Sequence, residues 1–230
     1  MELTADHMLM AYRNGIFPMA ESRTSQELHW YDPYRRGILP LDTFHLPARL
    51  KRTVKQHKFS VTINQNFQDV MAHCATTRPE SWINDKIFSL YNELHRRGDA
   101  HSVEVWRGND LVGGLYGVAI GGGFFGESMF STERDASKVA LVHLVARLKT
   151  RGYTLCDTQF ITSHLAQFGA KEITRSTYHK LLVAALKLDV QFFDDGDVTM
   201  AGNAGLVDAA LAGGLFDGTG ASGTATTGAV

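Results

Sequence analysis

The stretch that most constrains this chain is residues 121–170. It holds, in order, a glycine-rich apolar turn, a carboxylate (Glu127) among aromatics, a capped helix, a short strand and a second helix. Upstream, residues 101–107 and 111–120 are β-rich runs on either side of Gly108-Asn109-Asp110, which makes them a hairpin. Gly113, Gly114 and Gly117 inside its second strand predict a bulge or a close backbone approach. Gly121-Gly122-Gly123 then turns into residues 124–130, the next antiparallel strand. The triplet has no Walker lysine and opens no helix, so it reads as a hairpin turn rather than a phosphate loop. The strand over 153–157 leads into Thr158-Gln159, which places Asp157 and Gln159 where a sheet meets its loops. Burying such side chains costs free energy unless each finds a partner, and function is the reason to accept that cost.

The flanking elements follow from periodicity and caps. Asp135 reads as the cap of a helix with a broad apolar face formed by Val139, Leu141, Val142, Leu144, Val145 and Leu148, and Gly152 ends it. Helices over 162–168 and 176–188 follow. Near the start, Thr4 opens a helix that Gly15 stops. Residues 29–33 and 35–37 read as strand, turn and strand, with Arg35 and Arg36 in solvent and Trp30 either core or ligand-contacting. Residues 59–63 alternate like a strand and 67–75 form a short helix. Asn84 caps a helix running to Arg97.

With 230 residues, 44% of them hydrophobic, the chain can bury one sizeable core or two small ones. No apolar run approaches the ~18–20 residues of a membrane span. The early acids and the lack of a cleavage site argue against a signal peptide. Cys74 and Cys156 lie in apolar segments without metal-like spacing, as expected of reduced thiols in a cytosolic protein. Six acids follow Lys187, the last basic residue, so the preceding body has 18 acids against 23 Lys and Arg and is formally +5. The basic charge concentrates over 43–60, where Arg49, Lys51, Arg52, Lys55 and Lys58 occur without an acid. On a helix Arg49, Arg52 and Lys55 share roughly one face, which either tracks phosphates or is simply solvated. Residues 202–230, rich in Gly, Ala and Thr, are expected to be largely disordered. The resulting division is an N-terminal domain over 1–60, a catalytic domain over 61–193 and a tail over 194–230.

The order hairpin, strand, long helix, strand, helix resembles the acetyltransferase-like (GNAT) α+β fold, here with a smaller N-terminal α+β domain. The motifs are more specific. Y-x-x-G-I-F-P-M, W-Y-D-P, F-H-L-P-x-R-L-x-R, S-W-I-N, H-S-V-E-V-W, L-V-G-G-L-Y-G-V, F-F-G-E-S-M-F-S, A-S-K-V-A-L and D-T-Q-F occur in register over roughly residues 2–188. Together they resemble the leucyl/phenylalanyl-tRNA–protein transferase family. The resemblance implies transfer of Leu or Phe, and Met less well, from aminoacyl-tRNA to proteins with N-terminal Arg or Lys. The product carries a destabilising N-terminus for protein degradation by the bacterial N-end rule. It also implies a cytoplasmic monomer that uses no metal, ATP or other cofactor and binds no membrane.

Carried over by motif, Asp157 and Gln159 are the catalytic candidates. Asp157 either orients Gln159 or takes the amine proton, and Gln159 either polarises the carbonyl or holds the amine. Residues two apart on a strand face one side, so both are expected to point into one cleft. Glu127 fixes this network, attracts the basic acceptor side chain, or pairs with Lys138 or an arginine. The resemblance places Phe124, Met129, Leu141, Leu144, Leu148 and Cys156 around the donor side chain. It also places Trp30 and Trp82 near the terminal adenosine, and Arg49, Arg52 and Lys55 against the acceptor stem. Cys156-Asp157-Thr158, Leu144 and Leu148 depart from commoner forms, which leaves the preference between Leu and Phe open. An acetyl-CoA-dependent N-acetyltransferase of the same fold is the main alternative. The chain lacks the R/Q-x-x-G-x-G/A loop of that class, and Asp135 would repel phosphate at the helix opening. A non-catalytic tRNA- or N-degron-binding adaptor is a second.

Overall fold

The computed structural model describes residues 3–25, 27–77, 81–193 and 200–216. The chain begins with α1 (Ala5–Arg13), β1 (Phe17–Ala20), β2 (Leu28–Tyr31), β3 (Arg35–Ile38), α2 (Ala48–Lys55), β4 (Ser60–Ile63), α3 (Phe67–Thr76) and α4 (Asp85–Arg96). It continues with β5 (Ala100–Arg107), β6 (Asp110–Ile120), β7 (Gly123–Ser131), α5 (Ala136–Thr150) and β8 (Leu155–Gln159). Last come α6 (Ser163–Ala166), β9 (Lys171–Thr174), α7 (Arg175–Ala185) and α8 (Met200–Ala212).

Seven strands form one mixed sheet in the order β4-β5-β6-β7-β8-β3-β9, and β1 and β2 form a separate ribbon. Neighbours are antiparallel except β7 and β8, which α5 joins as parallel strands. A parallel pair needs a crossover of this kind, whereas a tight turn suffices for an antiparallel one. Leu50 and Val54 of α2, Leu141 and Leu144 of α5 and Val207 and Leu211 of α8 bury one face of the sheet. Met8 of α1, Val70 and Met71 of α3, Ile87 and Leu90 of α4 and Leu182 of α7 bury the other. Helix α5 is buried nearly all round, which explains its weak amphipathic signal.

The predicted hairpins are present, and the β6 glycines act as expected. A Cβ on Gly113 would lie 2.6 Å from that of Ala136, so glycine lets α5 start against the sheet. At Gly117 a Cβ would collide with the Phe125 carbonyl oxygen, and the β6–β7 register shifts there between Tyr116 and Gly117. Asn84 accepts a hydrogen bond from Ile87 N (2.8 Å), the expected cap.

Several expectations change. The predicted boundary at 60/61 is crossed by the sheet, because β3 from the first segment lies between β8 and β9. The strand β9, only four residues long, carried no separable period. Asp135 precedes α5 with φ 71° and no side-chain cap bond, and its carboxylate turns instead to Arg49, Lys138 and Arg134. Within the segment expected to be disordered, α8 packs on α5 and β4, and Val207, Ala210, Leu211 and Phe216 are buried. Small residues hid this helix in a composition typical of a linker; residues 217–230 lie outside the described residues.

Phe216→Ala is accordingly expected to cost about 3–5 kcal/mol of folding stability, as for a buried aromatic. Chemical denaturation measures it, and a loss below about 0.5 kcal/mol would show that this segment is not part of the core.

Candidate active site

Pairing between β7 and β8 runs only through Gly123↔Leu155, Phe124↔Cys156 and Phe125↔Asp157. Past that point the two strands part. Residues 126–131 on one side and 158–160 on the other line a cavity of about 480 Å³. Leu141 and Leu144 of α5 add an apolar wall, and Trp82 and Phe17 come from elsewhere in the chain. Mostly apolar walls with a few converging polar groups are the usual character of a ligand site.

Beneath this cavity, Asp157 is completely buried and every hydrogen-bonding position of its carboxylate is taken. Arg36 donates through Nε to Oδ1 (2.9 Å) and through Nη2 to Oδ2 (2.6 Å). Tyr178 Oη donates to Oδ2 (2.7 Å) and the Gln159 backbone N–H to Oδ1 (2.9 Å). The guanidinium also donates to the Gly15 carbonyl (2.8 Å) and lies between the Phe17 and Tyr178 rings, each 4.4 Å from its carbon. Arg36, expected in solvent, is 1% exposed. Asp157 does not line the cavity, so only Gln159 of the expected pair enters it. The Asp157 carboxylate thus meets four donors and is shut off from the cavity.

Gln159 reaches the cavity through a strained turn. Its φ is 55°, and Phe160 N–H donates to the Thr158 carbonyl (2.6 Å) to close a three-residue turn around it. The β3–β8 register shifts at the same place, with Gly37 opposite Gln159 and Ile38 opposite Asp157, so Thr158 is an extra residue. Such a bulge redirects a side chain beside a site. Asp157 holds the strained residue through its backbone N–H. A Cβ at Gly37 would lie 2.8 Å from the Phe160 carbonyl carbon, so only glycine lets the turn close.

Glu127 faces the cavity with tyrosines behind it. Tyr12 Oη is hydrogen-bonded to Oε1 (2.7 Å) and Tyr91 Oη to Oε2 (2.8 Å), and Gln159 Nε2 donates to Oε1 (3.2 Å). Among the described residues it forms no ion pair, and Lys138 pairs with Asp135 instead (3.7 Å). Burial pushes the Glu127 carboxyl up to about 7, the tyrosine hydroxyls pull it back down and the charge of Asp157 raises it further. The Cys156 thiol is pushed up to about 12 by burial and by Asp157.

Met129, Leu141, Leu144, Cys156 and Trp82 line the cavity, together with Leu115. Phe124 and Leu148 are fully buried in the core, where Phe124 stacks on Phe192 (5.3 Å), and Trp30 lies outside the lining, 44% exposed. Arg49, Arg52 and Lys55 lie on α2, and Arg49 grips Asp135 with both terminal nitrogens (2.6 and 2.8 Å). Tyr12, Tyr91, Tyr178 and Arg36 escaped sequence reasoning. The one signal was Asp157 itself, since a buried carboxylate demands a cation that the local sequence does not supply. Among the described residues no group of three or more His, Cys, Asp or Glu side chains is arranged to hold a metal, and no helix is long and apolar enough to cross a membrane.

A family model described as leucyl/phenylalanyl-tRNA protein transferase matches residues 38–183, and that of its N-terminal domain matches residues 1–33. The chain belongs to this family. A leucyl/phenylalanyl-tRNA–protein transferase of Caulobacter vibrioides is 55% identical over 193 residues, covering 83% of this chain and 89% of its own. The transferase of Maricaulis maris is 55% identical over 191 residues, with 82% and 88% covered. That of Paramagnetospirillum magneticum is 52% identical over 208 residues, with 89% and 99% covered. Among solved structures, the C-terminal (DUF2156) domain of an Agrobacterium fabrum protein described as a lysylphosphatidylglycerol synthetase reaches a TM-score of 0.42 at 10% identity. The match covers 82% of this chain and 71% of that one, a likeness too loose to define the fold. The boundary between the two family models falls between residues 33 and 38, just where the chain enters the main sheet with β3.

Two outcomes follow for this family member. Arg36→Met strands the Asp157 charge in the core and is expected to cost about 3–5 kcal/mol in denaturant unfolding; a loss under about 1 kcal/mol would mean water reaches the pair. Glu127 has a raised folded pKa, so the folded state holds a proton that the unfolded chain has lost between about pH 4.5 and 7. Its ionisation cost is absent below that window and complete above it. Glu127→Gln should therefore gain stability on the wild type as pH rises from about 5 to 8, and a gap that does not change with pH would refute the shift.

Proposed function

We propose that this chain transfers Leu or Phe, and Met less well, from aminoacyl-tRNA to the α-amino group of proteins with N-terminal Arg or Lys, giving them a destabilising N-terminus. The observation that carries the reading is the cavity between β7 and β8, where Glu127 and Gln159 meet beside an apolar wall, in a chain of this family. An acetyltransferase-like fold goes with it: an antiparallel β5-β6-β7 meander, the crossover helix α5 and a parallel β8 that parts from β7 at the site. Aminoacyl-tRNA is made in the cytoplasm, which is the expected location.

The reaction asks little of the protein. The ester is already activated, and an α-amine with pKa ~7.7–8.0 is partly neutral at cellular pH, so positioning and modest proton transfer suffice. Met129, Leu141, Leu144, Cys156 and Leu115 would seat the donor side chain, with Trp82 toward the terminal adenosine. Gln159, fixed by Asp157, would hold the amine or the ester carbonyl. Arg52 and Lys55 point into solvent from α2 and suit acceptor-stem phosphates. The acetyl-CoA alternative finds no support at the opening of α5, where the charge of Asp135 sits among Arg49, Arg134 and Lys138.

The decisive experiment supplies radiolabelled Leu-tRNA and a peptide beginning with Arg, without ATP. Label is expected in the peptide, and its absence would sink the transferase reading. Arg52→Ala with Lys55→Ala should weaken tRNA binding and reduce the salt slope by about 1 for each phosphate left without its cation. These two test the surface more cleanly than Arg49, whose loss also frees Asp135. Binding unchanged at low and moderate salt would remove α2 from the interface.

A further inference from the structure

Glu127 in the cavity wall and the buried Tyr12 and Tyr91 behind it form a closed triangle whose protons do not add up if Glu127 is ionised. Tyr12 Oη lies 2.7 Å from Glu127 Oε1 and Tyr91 Oη lies 2.8 Å from Oε2. The two phenol oxygens are also in hydrogen-bond contact with each other. Each side of the triangle needs one proton, because oxygens this close repel with nothing between them. Two phenols supply two. Burial and the nearby carboxyl keep both phenols in the O–H form. Within the triangle the third proton has one source, the Glu127 carboxyl. With that proton on Oε2 the ring closes: Glu127 donates to Tyr91, Tyr91 to Tyr12 and Tyr12 to Oε1, which also accepts from Gln159.

The surroundings favour the neutral form. Asp157 on β8 brings a second negative charge, and Arg36 on β3, whose charge opposes this by favouring the ionised form, is paired with Asp157. Tyr116 on β6 adds a third phenol, itself without a hydrogen-bond partner among the described residues and with Cys74 of α3 close by. Burial raises the Glu127 carboxyl to about 7, while Asp157 is shut away and the Cys156 thiol, at about 12, is a poor proton shuttle at cellular pH.

We propose that Glu127 rests as a neutral carboxylic acid held by Tyr12 and Tyr91, and that it donates its proton to the ribose oxygen released in the transfer. This rests on the transferase reading above. The amine lone pair forms the new C–N bond as the ester C–O bond breaks. The electron pair of that bond stays on the ribose oxygen, which takes the Glu127 proton. The nitrogen carries one proton too many and returns it to the Glu127 carboxylate, the member of the triangle that faces the cavity. The carboxyl ends the cycle as it began, and no other reactant is consumed. Tyr12 and Tyr91 are positioning residues, since they act through Glu127.

The test reads the free enzyme without tRNA, so it stands apart from the transferase assay. Protein labelled with ¹³C at the glutamate side-chain carboxyls is titrated by NMR, and Glu127 is the resonance missing from Glu127→Gln. A carboxylic-acid shift at about pH 6, converting to carboxylate near pH 7, is expected; a carboxylate shift throughout that range overturns the proposal. Tyr91→Phe removes a donor to the ionised form and should raise the midpoint by about one unit, and an unmoved midpoint takes the tyrosines out of the role. Glu127→Gln should lower kcat for peptide labelling by about 100-fold or more, with KM for Leu-tRNA unchanged. An unchanged kcat removes the donor step. If the wild type transfers no label while the NMR result holds, the transferase reading fails and the neutral acid stands.

Discussion

The contact between Arg36 and Asp157 ties together parts of the molecule that are far apart in sequence. The carboxylate belongs to β8 and the guanidinium to β3, and the same guanidinium grips the carbonyl just past the end of α1, lies on an aromatic ring of β1 and touches α7. Desolvating two ions costs several kcal/mol each, and their attraction offsets that only when the remaining donors and acceptors are also satisfied. Here four donors meet the carboxylate, and two aromatic faces cover the cation. The pair therefore works as a locator: the ends of β8, β3, α1, β1 and α7 must all be in place for it to form, and β8 carries Gln159.

That arrangement explains how a strained residue is kept beside the cavity. Gln159 sits in a backbone region that costs about 1–3 kcal/mol and survives only where the surroundings overdetermine it. Asp157 holds its N–H, Gly37 leaves room for the turn, and Glu127 takes its amide. The parting of β7 and β8 then provides space without a cut in the core, because α5 continues the apolar wall on one side.

What the sequence showed and what it hid divide along a physical line. Most local signals were faithful, the Asp135 cap excepted: the Asn84 cap, the glycine hairpins, the β6 bulge and the apolar face of α5 are all decided within a few residues. The apolar lining of the cavity was half legible, since Met129, Leu141, Leu144 and Cys156 line it but Phe124 and Leu148 turn to the core. Alternation could not separate Phe124 from Met129 across the β6–β7 bulge, and α5 is buried nearly all round, so its pattern did not single out Leu148. Long-range partners left no trace, so Arg36 looked like a solvent-facing residue, and Tyr12 and Tyr91 did not stand out. Arg36 stands 121 residues from Asp157, Tyr12 stands 115 from Glu127 and Tyr91 stands 36 from it, beyond the reach of any local pattern. Helix α8 was missed for another reason, as alanine and glycine bury well against a flat helix yet read as linker.

The place of β3 in the sheet has a consequence for how the protein is born. Residues made among the first forty are paired on both sides by strands made from residue 155 onward. Contacts this distant in sequence close late, and a chain emerging from the ribosome at roughly 5–20 residues per second would keep β3 waiting for several seconds. Until β8, β9 and Tyr178 appear, the ion pair, the turn at Gln159 and the cavity floor do not exist. A nascent copy, itself still esterified to a tRNA, thus lacks the site until residue 178 has been made.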